Sequence, residues 1–381
     1  MDFSWNDEQL ALRDSIEEFA RRELNDDLEA RDAASSFSRE LWDRCAAFGI
    51  QGMPFPVEHG GQGADTLTTV LALEALGYGC RDNGLLFSIN AHMWSAAMPV
   101  WRFGTDDQKQ RYLEGLCNGT LIGVQGMTEP DSGSDAFSMG TLARLDGDRY
   151  LLNGSKTFIT NAPVADVFVV FASVDRTKGW AGLAAFLVDR GSPGLEVGEP
   201  FHKMGLRTSP MSSLFFSDCE VPVENVLGTP GSGMMIFQHS IEWERSFILA
   251  SAIGSLHWQL DKSVEYARQR EQFDQPISKF QAVSHRLVDM KVRLEAGRQL
   301  LYRLAWLRDN DLATPLDAAM VKLFLSENLV TSSLDALQTH GGYGYLMEAG
   351  FEREVRDAIA SRIYSGTSDI QRNVIARQMG L

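Results

Sequence analysis

The chain has 381 residues, 44% of them hydrophobic, and a formal net charge of −16. Such a length supports a sizeable core and two or three structural units of about 150 residues each. A field of this sign repels nucleic acid and anionic membrane surfaces, which argues against both as partners, yet it leaves room for an anionic ligand in a local basic groove.

The first residues, Met1 to Glu8, are acidic and lack the charged-then-apolar layout of a signal peptide. No apolar run approaches the ~20 residues that a bilayer requires. The four cysteines are scattered without a CxxC pair, as expected for thiols in a reducing compartment. The seven histidines show no paired ligand spacing, so no metal site is expected. These features predict a cytoplasmic protein.

Residues 1–120 read as helices. Within 66–79 the apolar positions recur at helical spacing and glycine ends the run; within 105–117, Thr105 is an N-cap candidate, and Asp106 and Asp107 suit the positive end of the helix dipole. From 121 to 230 short β-branched and aromatic runs, such as 166–174 and 182–188, alternate with turn residues and predict a compact β domain. Asp146-Gly147 and Asn153-Gly154 read as hairpin turns. Helical periodicity returns over 231–381, with long segments at about 232–272 and 279–310 that suit a helical bundle.

Four segments could carry chemistry. Met127 to Asp135 is rich in small residues around Gly133, so it either admits a flat or anionic ligand close to the backbone or forms an ordinary polar turn. Strand alternation over Lys156 to Asn161 puts Phe158 and Thr160 on one face, either against a ring system or in the core of a hairpin. Arg268 to Ile277 offers arginines for a pyrophosphate, and Gln338 to Gly344 a glycine-rich turn; both also suit plain helix ends. The Gly231-Ser-Gly233 fragment completes no dinucleotide fingerprint.

Glu244 is the most informative residue. At helical spacing its neighbours are Phe237, Ile241, Phe247 and Ile248, so a carboxylate sits on an apolar face. Burying a carboxylate is costly unless it is paired or protonated, which leaves a catalytic group or a buried ion pair. Glu242, among Gln238, His239, Arg245 and Ser246, reads as solvated.

Taken in order, Thr128 to Asp135, Lys156 to Asn161, Glu244-Arg245, Arg270 with Phe273, Gln338 to Gly342, and Tyr364-Ser-Gly-Thr367 before Ile370-Gln-Arg372 resemble the acyl-CoA dehydrogenase family across the whole chain. The resemblance implies an α+β multidomain fold: an N-terminal α-helical domain, a middle β-barrel-like domain and a C-terminal four-helix bundle. It also implies a homotetramer with FAD at the domain junctions. By position, Met127, Thr128, Gly133, Ser134, Phe158 and Thr160 would line the flavin, and Thr367 and Asp369 would touch it. Arg270, Gln272, Phe273, Ile277, Phe280, Gln281, Gln338 and Gly342 would reach the adenosine or pyrophosphate, several of them from a neighbouring subunit. Ser134, Arg245 and Ser365 would meet the substrate.

The chain departs from the family pattern at three positions. Phe158 stands where tryptophan is frequent, Asp274 where glycine is usual, and Ser365 where most members carry the catalytic glutamate. A minority, similar to isovaleryl- and long-chain acyl-CoA dehydrogenases, carry that glutamate on a long helix just before an arginine, the position of Glu244. The resemblance therefore implies Glu244 as the base, the position-365 N–H as an oxyanion donor, and electron-transfer flavoprotein or oxygen as the acceptor. Natural-product prolyl-carrier-protein dehydrogenases share the helix glutamate and a non-glutamate at position 365, which favours a carrier-protein thioester, prolyl first. A short- or branched-chain acyl-CoA substrate is the alternative; a flavin monooxygenase and a non-catalytic binding protein on the same fold are the further ones.

Overall fold

The computed structural model describes residues 4–381. Its N-terminal part is helical: α1 (Asp7–Glu23), α2 (Leu28–Ala34), α3 (Arg39–Ala47), α4 (Thr66–Gly79), α5 (Asn83–Ala91) and α6 (Met98–Phe103). A final stretch follows as α7 (Asp106–Gln108), a π turn over Lys109–Leu113 and α8 (Glu114–Cys117). Thr105 caps α7 in a reciprocal box with Gln108. Asp65 caps α4, whose side chains are buried almost all round because α1 and the later helix over Ala250–Gln269 pack on it from different sides.

The middle of the chain is an eight-stranded sheet: β1 (Gly123–Gly126), β2 (Leu142–Asp146), β3 (Arg149–Thr160), β4 (Val167–Ser173), β5 (Leu183–Asp189), β6 (Leu195–Val197), β7 (Met211–Pro222) and β8 (Val226–Leu227). The spatial order is β6-β7-β3-β2-β4-β5-β8, with β1 parallel to β4. Strand β4 is buried along its whole length because it divides two cores. Phe168 and Val170 face the interior of the sheet with Leu152, Phe186 and Leu214, whereas Val169 and Phe171 face the helices.

Asp146-Gly147 turns β2 into β3, with Gly147 at φ 66°. Asn153-Gly154 does not form a hairpin turn: it lies inside β3, where the pairing with β7 shifts register at Gly154. Glycine is required there by crowding, since a Cβ would stand 2.6 Å from the Thr141 hydroxyl.

The C-terminal part holds α9 (Gly233–Phe247), α10 (Ala250–Gln269), α11 (Gln281–Asp309), α12 (Pro315–His340), α13 (Phe351–Ala360) and α14 (Ser368–Gln378). The expected long helix over 232–272 is thus two helices. Ile248 and Leu249 at the break remain buried, so the apolar pattern runs through it and conceals it. Helices α10, α11 and α12 pack on one another, and α12 also carries α9, α13 and α14. No helix among the described residues is long and apolar enough to cross a membrane.

Candidate functional site

The site is built on α9, which the middle sheet positions. A Cβ at Gly233 would stand 2.7 Å from the backbone of Leu183 and Ala184, so glycine lets the helix start directly on β5. Phe237 then meets the rings of Phe137 and Phe171 edge-on, and Gln125 Nε2 donates to Ser240 Oγ at 2.8 Å. One turn further, about 6 Å along the axis, comes Glu244.

Glu244 is only partly exposed and forms no ion pair among the described residues. Its Oε1 accepts a hydrogen bond from Ser365 Oγ at 2.5 Å. Neighbouring Arg245 turns away, donating from Nε to the Ser365 carbonyl at 3.2 Å. Burial pushes the Glu244 carboxyl above the usual range, against the Ser365 hydrogen bond and the charges of Arg245 and Lys322. The ion-pair reading belongs instead to Glu242: it is not simply solvated but lies 3.7 Å from Arg308, a cation that α11 brings in from outside the local pattern.

Ser365 (φ 56°) and Gly366 (φ 83°) are successive left-handed residues. Gln371 Nε2 holds both of their carbonyls, at 3.1 and 2.9 Å, and Lys322 Nζ donates to the Ser361 and Gly366 carbonyls at 2.6 and 3.1 Å. The Ser365 N–H makes no hydrogen bond among the described residues. Lys322, fully buried and held down to about 7 by burial against the pull of Glu244, has no counterpart in the sequence reading; its signal was a lone lysine on the apolar face of α12. A Cβ at Gly366 would meet Gln371 Nε2 at 2.7 Å and Arg245 at 3.1 Å. Gly366→Ala is therefore expected to displace this turn and lower flavin-reduction kcat/KM about 100-fold. A rate within threefold of wild type in stopped-flow bleaching would show that the turn is not needed.

The loop beginning at Met127 leaves β1 two residues after Gln125, so the contact with Ser240 ties it to α9. Lys156, wholly buried, bonds the Met127 carbonyl at 3.1 Å and Glu129 Oε1 at 2.7 Å, while Glu129 also accepts from Thr141 N at 3.0 Å. Thr157 N binds the Thr128 carbonyl at 2.9 Å, which sets Thr128 beside Phe158. Phe158 is neither in a core nor in simple strand alternation: β3 bulges between Lys156 and Ile159, and Phe158 adopts φ 59° and is 63% exposed. Thr160 is half-buried two residues on, while Gly133 and Ser134 are exposed, with open space around Gly133.

Models of the acyl-CoA dehydrogenase N-terminal, middle and C-terminal domains match residues 6–120, 125–219 and 231–380. This chain belongs to the acyl-CoA dehydrogenase family. It is similar to an L-prolyl-[peptidyl-carrier protein] dehydrogenase of Serratia sp., with 42% identity covering 100% of this chain and 99% of that one. Among solved structures it resembles the prolyl acyl carrier protein oxidase AnaB, with TM-score 0.98, 47% identity, and 99% and 100% of the two chains covered. It also resembles PigA with FAD and proline, with TM-score 0.97, 42% identity and all of both chains covered.

This acyl-CoA dehydrogenase is an FAD-dependent oxidoreductase, and its residues fit the cofactor. An exposed aromatic in a strained bulge, beside a braced loop with open space at Gly133, is a surface for a flat ring. Further along the chain, Arg270 ends α10 exposed and without an ion pair among the described residues, just before β9 (Glu271–Gln272) and β10 (Gln275–Pro276). Their two-residue turn places Phe273 and Asp274 at φ 51° and 61°. Aspartate tolerates this left-handed conformation, which is how position 274 manages without glycine. Gln272, Phe273 and Gln281 are exposed, and Ile277 and Phe280 half-buried. Gln338 is exposed near the end of α12, followed by Gly341 and Gly342 with open space around both.

The residues expected around the cofactor fall into two groups. Glu244, Arg245 and Ser365 converge in one place, with the loop at Met127 and Phe158 fastened to the same helix. The Arg270–Gln281 segment and the Gln338–Gly342 turn lie at the other end of α10, where the Tyr266 and His340 rings meet tilted, with centroids 4.5 Å apart. Twenty residues of helix separate those ends by about 30 Å. Thr367 lies on the Ser365 side, capping α14 through Ile370 N at 3.2 Å, whereas Asp369 is exposed and pairs with Arg372 at 3.3 Å.

Proposed function

We propose that this chain dehydrogenates an acyl thioester at its α and β carbons, with Glu244 as the base. The observation that carries this is a carboxyl with no salt bridge among the described residues, bonded to Ser365 Oγ at 2.5 Å, beside a Ser365 N–H with no hydrogen-bond partner among them. Bound FAD supplies the hydride acceptor, with Met127, Thr128, Gly133, Ser134, Phe158, Thr160, Thr367 and Asp369 around the flavin. The Ser365 N–H is an oxyanion donor for the thioester carbonyl, which acidifies the α-proton. Glu244, raised by burial, takes that proton, and the bound substrate would expel the water that would compete. Arg245 holds the Ser365 carbonyl and so orients the donor, and Ser134 reaches the thioester arm.

The substrate favoured by the named relatives is a prolyl group on a carrier protein, as in a natural-product pathway; a short- or branched-chain acyl-CoA is the second choice. Anaerobic bleaching of the flavin with prolyl-loaded carrier protein, set against a panel of acyl-CoAs, separates them. Bleaching by none of these would remove the thioester reading and favour a flavin monooxygenase or a non-catalytic protein. In the assembly proposed here, a cytoplasmic homotetramer, Arg270, Gln272, Phe273, Ile277, Phe280, Gln281, Gln338 and Gly342 serve the adenosine and pyrophosphate of FAD, several from a neighbouring subunit. Exposed Phe273 (87%), Val288 (57%) and Val292 (62%) support such a contact. Light scattering giving a monomer would count against it. Electron-transfer flavoprotein or oxygen then reoxidises the enzyme.

The pH profile tests the base. Glu244 must be ionised, so activity rises with pH through its elevated pKa. The Ser365 hydroxyl favours the ionised form. Ser365→Ala should therefore keep most of the maximal rate and move the acid limb of kcat/KM to higher pH. A limb that stays in place or moves down would detach Glu244 from that ionisation.

A further inference from the structure

A cavity lies between α5, α10, α12 and α13, lined by sequence neighbours of Glu244 and Ser365, and one of its walls is acidic. Phe87, Ile248 and Tyr364 line it beside the base: Ile248 is one turn after Glu244, and Tyr364 directly precedes Ser365. Asn83, Glu354 and Asp357 line it as well. The Tyr364 phenol is raised by burial and then by the charges of Glu244 and Asp357, and its hydroxyl has no hydrogen bond among the described residues.

We propose that Glu354 and Asp357 form an ammonium subsite that selects acyl groups carrying a protonated amine. The inference rests on the thioester-dehydrogenase reading, because that reading makes this cavity the acyl pocket.

Glu354 is 3% exposed. Its Oε2 accepts from Asn83 Nδ2 and Gln259 Nε2, both at 3.0 Å, while its buried Oε1 has no hydrogen-bond donor. Gln259 Oε1 is likewise buried without a donor. Asp357 accepts from Leu206 N at 2.6 Å and from Asn83 Nδ2 at 3.3 Å.

The cations around this wall do not match the two carboxyls. Arg81 approaches Glu354 Oε1 only to 3.7 Å, without a hydrogen bond, and has Arg353 as a cationic neighbour. Arg356 is committed to Asp32 at 2.7 Å and Glu352 at 2.6 Å. Lys203 spends its ammonium on the Leu206 and Ser209 carbonyls, and Arg31 pairs with Asp82. Asp357 has no cation within salt-bridge distance among the described residues, and burial followed by the Glu354 charge pushes it up to about 7.

A buried acceptor wall with one arginine for two carboxyls favours a ligand that brings donors and positive charge. A hydrocarbon of the same shape would leave those acceptors desolvated and unmatched, which is how a polar pocket rejects an apolar isostere. Prolyl fits this requirement, because its ring carries a secondary amine; a cyclopentanecarbonyl group has the same outline and no amine.

The test uses FAD-loaded enzyme and one carrier-protein domain bearing either prolyl or cyclopentanecarbonyl. Wild type should bleach at least tenfold faster with prolyl, and Glu354→Gln and Asp357→Asn should each reduce that ratio at least tenfold. As a readout independent of turnover, proline methyl ester should perturb the flavin spectrum at tenfold lower concentration than methyl cyclopentanecarboxylate. Ratios near one in wild type for both readouts, or a ratio that both variants keep, overturn the subsite. If the variants do not fold, the two wild-type ratios decide alone. Failure of both thioesters to bleach the flavin while the ester preference holds would sink the thioester reading and keep the subsite.

Discussion

Glu244→Gln is expected to lower flavin reduction by a saturating thioester about 10⁴-fold, the upper range for loss of a general base. The amide keeps the shape and can still receive the Ser365 hydroxyl, so substrate binding should survive. Stability supplies a control whose sign follows from the pKa. The folded-state carboxyl titrates above its unfolded value, so its ionised form is disfavoured in the fold once pH passes the unfolded pKa. Removing that charge should leave Tm unchanged or raise it at pH 8. An inactive variant that also loses FAD and melts early would show that Glu244 holds the structure; a variant retaining a tenth of wild-type rate would show that the base lies elsewhere. Ser365 is the natural comparison, because its own side chain cannot take the α-proton and its N–H survives substitution.

Much of this site was legible because two independent patterns converge on Glu244. Helical spacing puts a carboxylate among Phe237, Ile241, Phe247 and Ile248, and the family order puts a glutamate before Arg245 when position 365 is not acidic. The order of helices, strands and helices was legible for a similar reason, since β-branched runs such as that of β4 contrast with the 3.6-residue period on either side. What escaped were features decided by tertiary partners. Asn153-Gly154 has the composition of a hairpin turn, but Thr141 crowds Gly154 within a continuing strand. Phe158 was placed by alternation, and a bulge turned it outward instead. Glu242 looked solvated because the arginine it meets is Arg308, more than sixty residues away. Lys156 and Lys322 illustrate the same limit, since a lysine's burial depends on carbonyls that other segments bring to it.

Lys156→Met should cost the fold about 3–5 kcal/mol, because it strands the Glu129 carboxylate in a buried site without its cation. Lys156 is 0% exposed and reaches both ends of the brace, the Met127 carbonyl and Glu129 Oε1, so methionine replaces the volume and removes both donors. Although burial opposes it, the Lys156 charge and the donors at Thr141 and Gly140 hold Glu129 below the usual carboxylate range. Its contribution is therefore complete above that range and is lost as pH falls through the depressed pKa, so the difference between wild type and variant should shrink in acid. The loop should loosen with it, since Glu129 remains tied to Thr141 but the Met127 carbonyl loses the Lys156 ammonium that holds it. Urea midpoints and FAD retention on gel filtration measure the two effects. The double variant Lys156→Met with Glu129→Leu should regain much of the midpoint, because an apolar pair leaves no buried charge, yet it should not regain full FAD retention. A single variant that matches wild type in both measurements would mean that the brace does not shape the loop, and the fit of Met127, Thr128 and Phe158 to a flavin ring would then need another support.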